Sequence, residues 1–182
     1  GIASAIISMI GLISVISLLG LDISLVRFLP DNKYNANELI NTCMSLVVLV
    51  SLVVSLVILS IESNLENSLR IPGMEILPII VVVLSLITSI QSLQNQGIFV
   101  GLRKNKYSFY QTVSSVIRLG LVPILSFVGS VGIILAYGIS SFFSLVLGLV
   151  IMKRLNYFPY PRVSKGVLHR IFQFSLGNYI AR

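Results

Sequence analysis

The first thirty residues, "GIASAIISMIGLISVISLLGLDISLVRFLP" (Gly1–Pro30), carry no charge before Asp22 and then set an acid and a base, Asp22 and Arg27, near the end. The uncharged run Ile2–Leu21 is just long enough to cross about 30 Å of hydrocarbon as a helix rising about 1.5 Å per residue. A membrane barrel would instead need segments of about ten residues alternating apolar and polar, and this run is continuous. It has no basic leader and no small-residue cleavage motif, so it does not read as a secretory signal. A helix in a bilayer is the expectation.

The same pattern recurs along the chain. Leu39–Ile61 is a second uncharged run, and Asn35-Ala-Asn-Glu38 before it has the form of a helix start, a capping oxygen followed by an acid. A polar link, Glu62–Glu75, contains the turn signal Pro72-Gly73. Pro78 suits the first turn of a third span reaching about Val100. The fourth span is Tyr107–Val128, the connection Gly129–Gly132 is tight, and the fifth span runs to Met152. Lys153–Arg170 is a basic loop with Pro159 and Pro161, and Ile171–Arg182 opens another helix. The expected fold is an all-α membrane protein, a polytopic helix bundle with five complete transmembrane helices plus the start of a sixth. Gly1 in place of an initiator Met, and an end inside a fresh apolar pattern, point to a piece of a longer protein.

Composition agrees. The 182 residues are 55% hydrophobic and 10% charged, where a soluble domain carries about 25% charged residues. Mean hydropathy is +0.98. The distribution of charge also sets an orientation. Arg27, Lys33, Arg103, Lys104, Lys106, Lys153, Arg154, Arg162, Lys165 and Arg170 fall in the loops after odd-numbered spans. The other side holds Glu62, Glu66, Glu75 and the single base Arg70. The positive-inside rule puts the basic loops in the cytoplasm. The excess of base is therefore topological, and with no basic nucleic-acid motif it does not point to nucleic-acid binding.

Catalytic chemistry finds little support. The one histidine, His169, lies in a basic loop, and no Cys/His/Asp/Glu grouping has metal-ligand spacing. There is no phosphate-binding Gly-Lys-Ser/Thr loop. No cofactor, metal or catalytic residue is expected, and the lone Cys43 reads as packing.

Arg118 is the most informative residue. It falls near the middle of the fourth span, where a charge costs about 2.5–3.5 kcal/mol on insertion scales and should face a cavity or a partner. At 100° per residue, Ser108, Gln111, Thr112, Ser115 and Arg118 share one arc. Beyond it, Gly120 and Pro123 can bend or loosen the helix. On the third span Ser85, Thr88, Ser89, Ser92, Asn95 and Gln96 form a comparable arc, with Gln91 and Gln94 beside it. Two such faces on neighbouring helices predict a wet cleft open toward the cytoplasm with Arg118 at its floor. Serine and threonine stripes equally serve as packing surfaces between membrane helices. Arg118 is either a structural charge or a cavity group, and no acid of the chain is expected at its depth. The Tyr137–Ser141 segment, Ser144 and Gly148 read as packing surface.

"GLDISLVRFLP" (20–30), "GLRKNKYSFYQ" (101–111), "VGSVGIILAYGISSFFSLVLGLVIMKR" (128–154) and "RIFQFSLGNY" (170–179) together resemble helix ends of polysaccharide flippases. These belong to the multidrug/oligosaccharidyl-lipid/polysaccharide exporter superfamily. The resemblance covers essentially the whole chain. It implies two six-helix bundles around a cavity that opens alternately to each side of the cytoplasmic membrane. Residues 1–152 would be helices two to six of the first bundle (2–21, 39–61, 78–100, 107–128, 132–152). Residues 153–170 would be the inter-bundle loop, and 171–182 the start of helix seven.

The implied substrate is an undecaprenyl- or dolichyl-type lipid diphosphate bearing an oligosaccharide. Membrane lipids would be partners, with glycosyltransferases or a polymerase of the same pathway as further candidates. Arg118 and Arg27 would hold phosphates, and Gln111, Ser115, Asn95 and Gln96 would line the sugar path. Asp22, Gly120 and Pro123 would be structural or gating residues. Against this, Arg27 can simply anchor its helix to lipid headgroups while Asp22 helps to end it. The alternatives are a cation-coupled multidrug exporter of the same superfamily, which should carry an intramembrane acid, and a non-transporting scaffold of a polysaccharide assembly complex.

Overall fold

The uncharged run that opens the chain folds as helix, but in two pieces. The structure is a computed structural model that describes residues 2–30, 35–64, 77–104 and 109–157 and positions 160, 164 and 168. Helix α1, Ile2–Leu18, ends where Leu19 (φ 45°) and Gly20 (φ 73°) both turn left-handed, and α2, Leu21–Phe28, leaves at 47° to it. Two left-handed residues in succession cannot continue a right-handed helix, and only the glycine adopts that region without steric cost. The unbroken Ile2–Leu21 helix expected from hydropathy is thereby corrected. Asp22 and Arg27 sit in the first and last turns of a separate short helix.

Helix α3 is Ala36–Asn64. Asn35 caps it: its Oδ1 accepts from the Asn37 amide at 3.2 Å while its carbonyl receives the Leu39 amide at 3.1 Å. Helix α4, Leu77–Ser92, continues through one wide π-turn, Leu93–Ile98, and closes with the helical turn Phe99–Gly101. Helix α5 is Phe109–Leu125, with Pro123 inside it. The chain then tightens to a 3₁₀ turn at Ser126–Val128. Gly129 (φ 74°) reverses direction into α6, Ser130–Arg154. Gly132 presses so closely on the Leu125 carbonyl that no Cβ fits there, which makes the hairpin between α5 and α6 dependent on glycine.

Among the described residues, four stretches are long and apolar enough to cross a membrane alone: Ala36–Ser60, Pro78–Gly101, Gln111–Val128 and Ser130–Arg154. A fifth is added when α1 and α2 count as one bent span. No strand occurs among the described residues. The protein is an all-α polytopic membrane protein. Its outward surface fits a lipid solvent: Leu49, Leu52, Val53, Leu56 and Val57 on α3, Leu119 and Ile124 on α5, and Phe127 in the 3₁₀ turn after it are all exposed.

Helix α4 is the hub, packing on α1, α3 and α6, whereas α5 rests chiefly on α6. Two apolar clusters lock this arrangement at different levels. One joins Ile6, Ile10 and Ile13 of α1 to Val81 and Leu84 of α4 and Ile134 of α6. The other joins Leu21 and Leu25 of α2 to Leu39, Ile40 and Cys43 of α3, Ile98 at the end of the π-turn, Phe99 just after it, and Met152 of α6. The second cluster lies at the end of the bundle that carries Arg27, Arg103, Lys104, Lys153 and Arg154. Charge alternation along the sequence and helix packing in space thus agree on one basic end. The turn Pro72-Gly73, the bases Lys33 and Lys106, most of Lys153–Arg170 and the whole of Ile171–Arg182 lie outside the described residues.

Candidate functional site

The polar residues of α4 are almost all turned into the bundle, and most are paired with a neighbouring helix. Ser85 and Ser55 of α3 place their hydroxyls 2.7 Å apart, and Ser89 and Ser51 theirs 3.1 Å apart. Ser92 meets Ser14 of α1 at 3.4 Å. Gln91 donates through Nε2 to Ser144 of α6 at 2.8 Å, and Gln94 Nε2 approaches the Met152 sulfur at 3.7 Å. Thr88 returns its hydroxyl to the Leu84 carbonyl at 2.9 Å. Such bonds satisfy polar groups that hydrocarbon could not, and each contributes about 0.6–2 kcal/mol between membrane helices. Packing, the plainer of the two roles open to this stripe, is the one that its serines take.

Two members of the stripe behave differently. Asn95, inside the π-turn, is buried, and its Oδ1 has no hydrogen-bond partner. Gln96 beside it is exposed. A buried orphan acceptor costs about 1–3 kcal/mol, and single π-turns recur at functional positions.

Arg118 stands midway along the span formed by α5 and its 3₁₀ extension, about 15 Å from either end. Its partners come from α6. Nε donates to Ser140 Oγ at 3.1 Å, Nη2 to Ser141 Oγ at 3.4 Å, and the guanidinium carbon sits 4.3 Å from the Tyr137 ring centroid. A cation over an aromatic face is attracted by the ring quadrupole, more strongly when water is scarce. Ser140 in turn gives its own proton to the Tyr137 carbonyl at 2.9 Å, which aims its lone pairs at the arginine. Every one of these partners is neutral, so the positive charge at mid-span is oriented without being cancelled.

The rest of the expected set is dispersed. Gln111 and Ser115 are exposed on α5, with the Ser115 hydroxyl bonded back to the Gln111 carbonyl at 3.1 Å. Gly120 and Pro123 are exposed as well, and a Cβ on Gly120 would meet nothing within 4 Å. Asp22 is half-buried in the first turn of α2, and Arg27 is exposed at its end. Helix α6 packs against both α4 and α5, which scarcely touch each other. The two polar stripes therefore do not line one cleft. Arg118, Gln111 and Ser115 belong to one face, and Asn95 to the bundle interior.

Small-residue and polar patterns in the sequence mark several further contacts. Gly97-Ile-Phe-Val-Gly101 is a small-xxx-small pair of the kind that lets membrane helices touch backbone to backbone. A Cβ at Gly97 would lie 2.9 Å from Leu25 Cδ1 and 3.2 Å from the Asp22 Cα, and one at Gly101 would lie 2.8 Å from the Leu25 carbonyl oxygen. The serine pairs Ser51/Ser55 and Ser85/Ser89, each one helical turn apart, announce the α3–α4 seam. Asn41 and Thr42 on α3 had no obvious task in the sequence. They accept the backbone amides of Tyr160 and Ser164 at 3.1 and 3.3 Å, tying the segment after α6 to the beginning of α3. A polar pocket of about 400 Å³ opens there, lined by Asn35, Asn37, Glu38, Asn41, Thr42, Tyr160 and Ser164.

The sequence pattern of the family described as "Polysaccharide biosynthesis protein" matches residues 1–179. The chain belongs to that family. Its members are the polysaccharide and lipid-linked oligosaccharide flippases of the multidrug/oligosaccharidyl-lipid/polysaccharide exporter superfamily. Membership agrees with a multi-pass helical bundle working in polysaccharide biosynthesis. None of the curated proteins and none of the solved structures compared matches the chain. No group of His, Cys, Asp and Glu that could hold a metal ion occurs among the described residues.

Proposed function

We propose that this polysaccharide biosynthesis protein is a transporter, not an enzyme, that moves a lipid-diphosphate-linked oligosaccharide across the cytoplasmic membrane by alternating access. The observation that carries the proposal is Arg118. It is a mid-span guanidinium held by two hydroxyls and an aromatic ring, with no carboxylate among its partners. A cation kept in place but not neutralised at that depth has electrostatic work left for an anion. The planar fork of arginine suits a diphosphate, and the exposed Gln111 and Ser115 on the adjoining turns suit sugar hydroxyls, which both donate and accept.

Arg27 takes the headgroup-level phosphate as cargo enters from the basic, cytoplasmic end. Residues 1–152 form most of the first bundle, and the Lys153–Arg170 segment leads to the second, against which the first rocks. Asn95 contributes from the interior through its unpartnered oxygen, Gln96 lies at the exposed side of the same turn, and Asp22, Gly120 and Pro123 adjust helix geometry.

The test is translocation of a fluorescent lipid-linked oligosaccharide into vesicles bearing the intact protein. Arg118→Ala is expected to reduce the rate at least tenfold with normal membrane insertion. A rate unchanged by that substitution would remove the basis of the proposal.

A further inference from the structure

Arginine has two edges that can each grip an oxyanion. The side edge presents Nε–H with one Nη2–H, and the end edge presents one hydrogen from each Nη. In this protein the side edge of Arg118 is already taken, Nε by Ser140 at 3.1 Å and Nη2 by Ser141 at 3.4 Å. The ring of Tyr137 covers one face of the guanidinium at 4.3 Å. Ser140 cannot rotate to offer its proton to a ligand without giving up its bond to the Tyr137 carbonyl. Both serines are fully buried, so solvent does not compete for them. Among the described residues nothing accepts from the end edge of Arg118.

We infer that Ser140 and Ser141 are positioning residues that fix Arg118 so that an anionic ligand meets its end edge, two parallel N–H donors on one phosphoryl group. The inference rests on the phosphate reading of Arg118 and adds the edge, and so the denticity, with which phosphate is held. The serines touch the arginine and not the cargo. They act by restricting a long side chain to one rotamer and one approach direction before binding, which lowers the ordering cost of capture. Tyr137 restricts the same group from above. A lysine at 118 would bring the charge without the edge.

The experiment is a double-mutant cycle on the intact protein in detergent, titrated with farnesyl diphosphate as a short lipid diphosphate. Ser140→Ala/Ser141→Ala is expected to weaken binding about tenfold when Arg118 is present, the scale of a charge-assisted hydrogen bond. In the Arg118→Ala background the same pair of substitutions is expected to change nothing further. That conditional effect separates positioning from packing.

Serine substitutions that weaken binding equally in both backgrounds, or that leave it unchanged with Arg118 present, would overturn the inference and leave the phosphate reading standing. Absence of binding by the unmodified protein, or affinity indifferent to Arg118→Ala, would sink the phosphate reading and the inference with it. Monodisperse elution of every variant establishes that each has folded.

Discussion

The guanidinium of Arg118 and the ring of Tyr137 lie 4.3 Å apart, face over cation, with the two residues on adjacent antiparallel helices joined by a tight hairpin. The hairpin makes the encounter close to obligatory. Gly132 fits only without a side chain, so α5 and α6 leave their turn in near contact and stay together to the middle of the bilayer.

That contact has a measurable worth. Tyr137→Leu retains the apolar volume and removes the quadrupole, so thermal stability should fall by about 0.5–2 kcal/mol. Tyr137→Phe keeps the ring and loses only the hydroxyl that bonds Ser141, so its stability should fall by less than that of Tyr137→Leu. Equal losses in the two variants, measured by thermal unfolding in detergent, would show that the ring contributes only packing.

The glycines should separate into those the fold needs and those, such as Gly120, that it does not. Gly101→Ala sets a Cβ 2.8 Å from a backbone oxygen of α2, which cannot swing aside, and should cost about 1–3 kcal/mol. Gly97→Ala meets the tip of Leu25 first and should cost less, although the Asp22 backbone limits the relief. Gly120→Ala enters open space on an exposed helix face and should be neutral or stabilising by up to about 1 kcal/mol. If Gly120→Ala nevertheless slows translocation, its role is in motion; if it does not, the gating assignment fails.

Asn95 offers a trade between stability and activity. Its unpartnered buried oxygen should make Asn95→Leu, of similar size, as stable as the parent or more so. Translocation should drop severalfold, because an orphan acceptor retained against its cost has a partner in some other state or in the cargo. A variant that is both stable and fully active would reduce Asn95 to tolerated strain.

The tie between the segment after α6 and the beginning of α3 can be loosened without touching the rest. Asn41→Ala and Thr42→Val each remove the acceptor of one backbone amide, Tyr160 or Ser164. Each should cost about 1 kcal/mol locally. Hydrogen exchange should quicken at those two amides while α4 and α6 keep their protection. Unaltered exchange there would mean that the tie adds nothing in solution.

Hydropathy and charge spacing were enough to read the all-α membrane class, and the start of α3 was legible down to the capping role of Asn35. The break after Leu18 was not, because Leu19 carries no signal of a left-handed backbone and Gly20 alone is tolerated in many helices. The π-turn escaped for a related reason: one added residue per turn leaves composition untouched and only rotates the helix beyond it. At the candidate site, the burden of a central charge singled out Arg118 from one residue. Its partners were harder to see. Ser140 and Ser141 read as filler on a small-residue face, and helical arcs show which way a stripe points on its own axis but not which helix stands opposite. That is why the stripes of α4 and α5, similar on paper, look to different neighbours.

The paired serines between α3 and α4 have a mechanical consequence. Ser51 faces Ser89 and Ser55 faces Ser85, teeth spaced one turn apart on both helices. A slide of one helical pitch, about 5.4 Å, would engage Ser55 with Ser89 and forfeit a single hydroxyl bridge. The seam is thus built like a ratchet with interchangeable stops, in which displacement by a whole notch is cheaper than displacement by half of one.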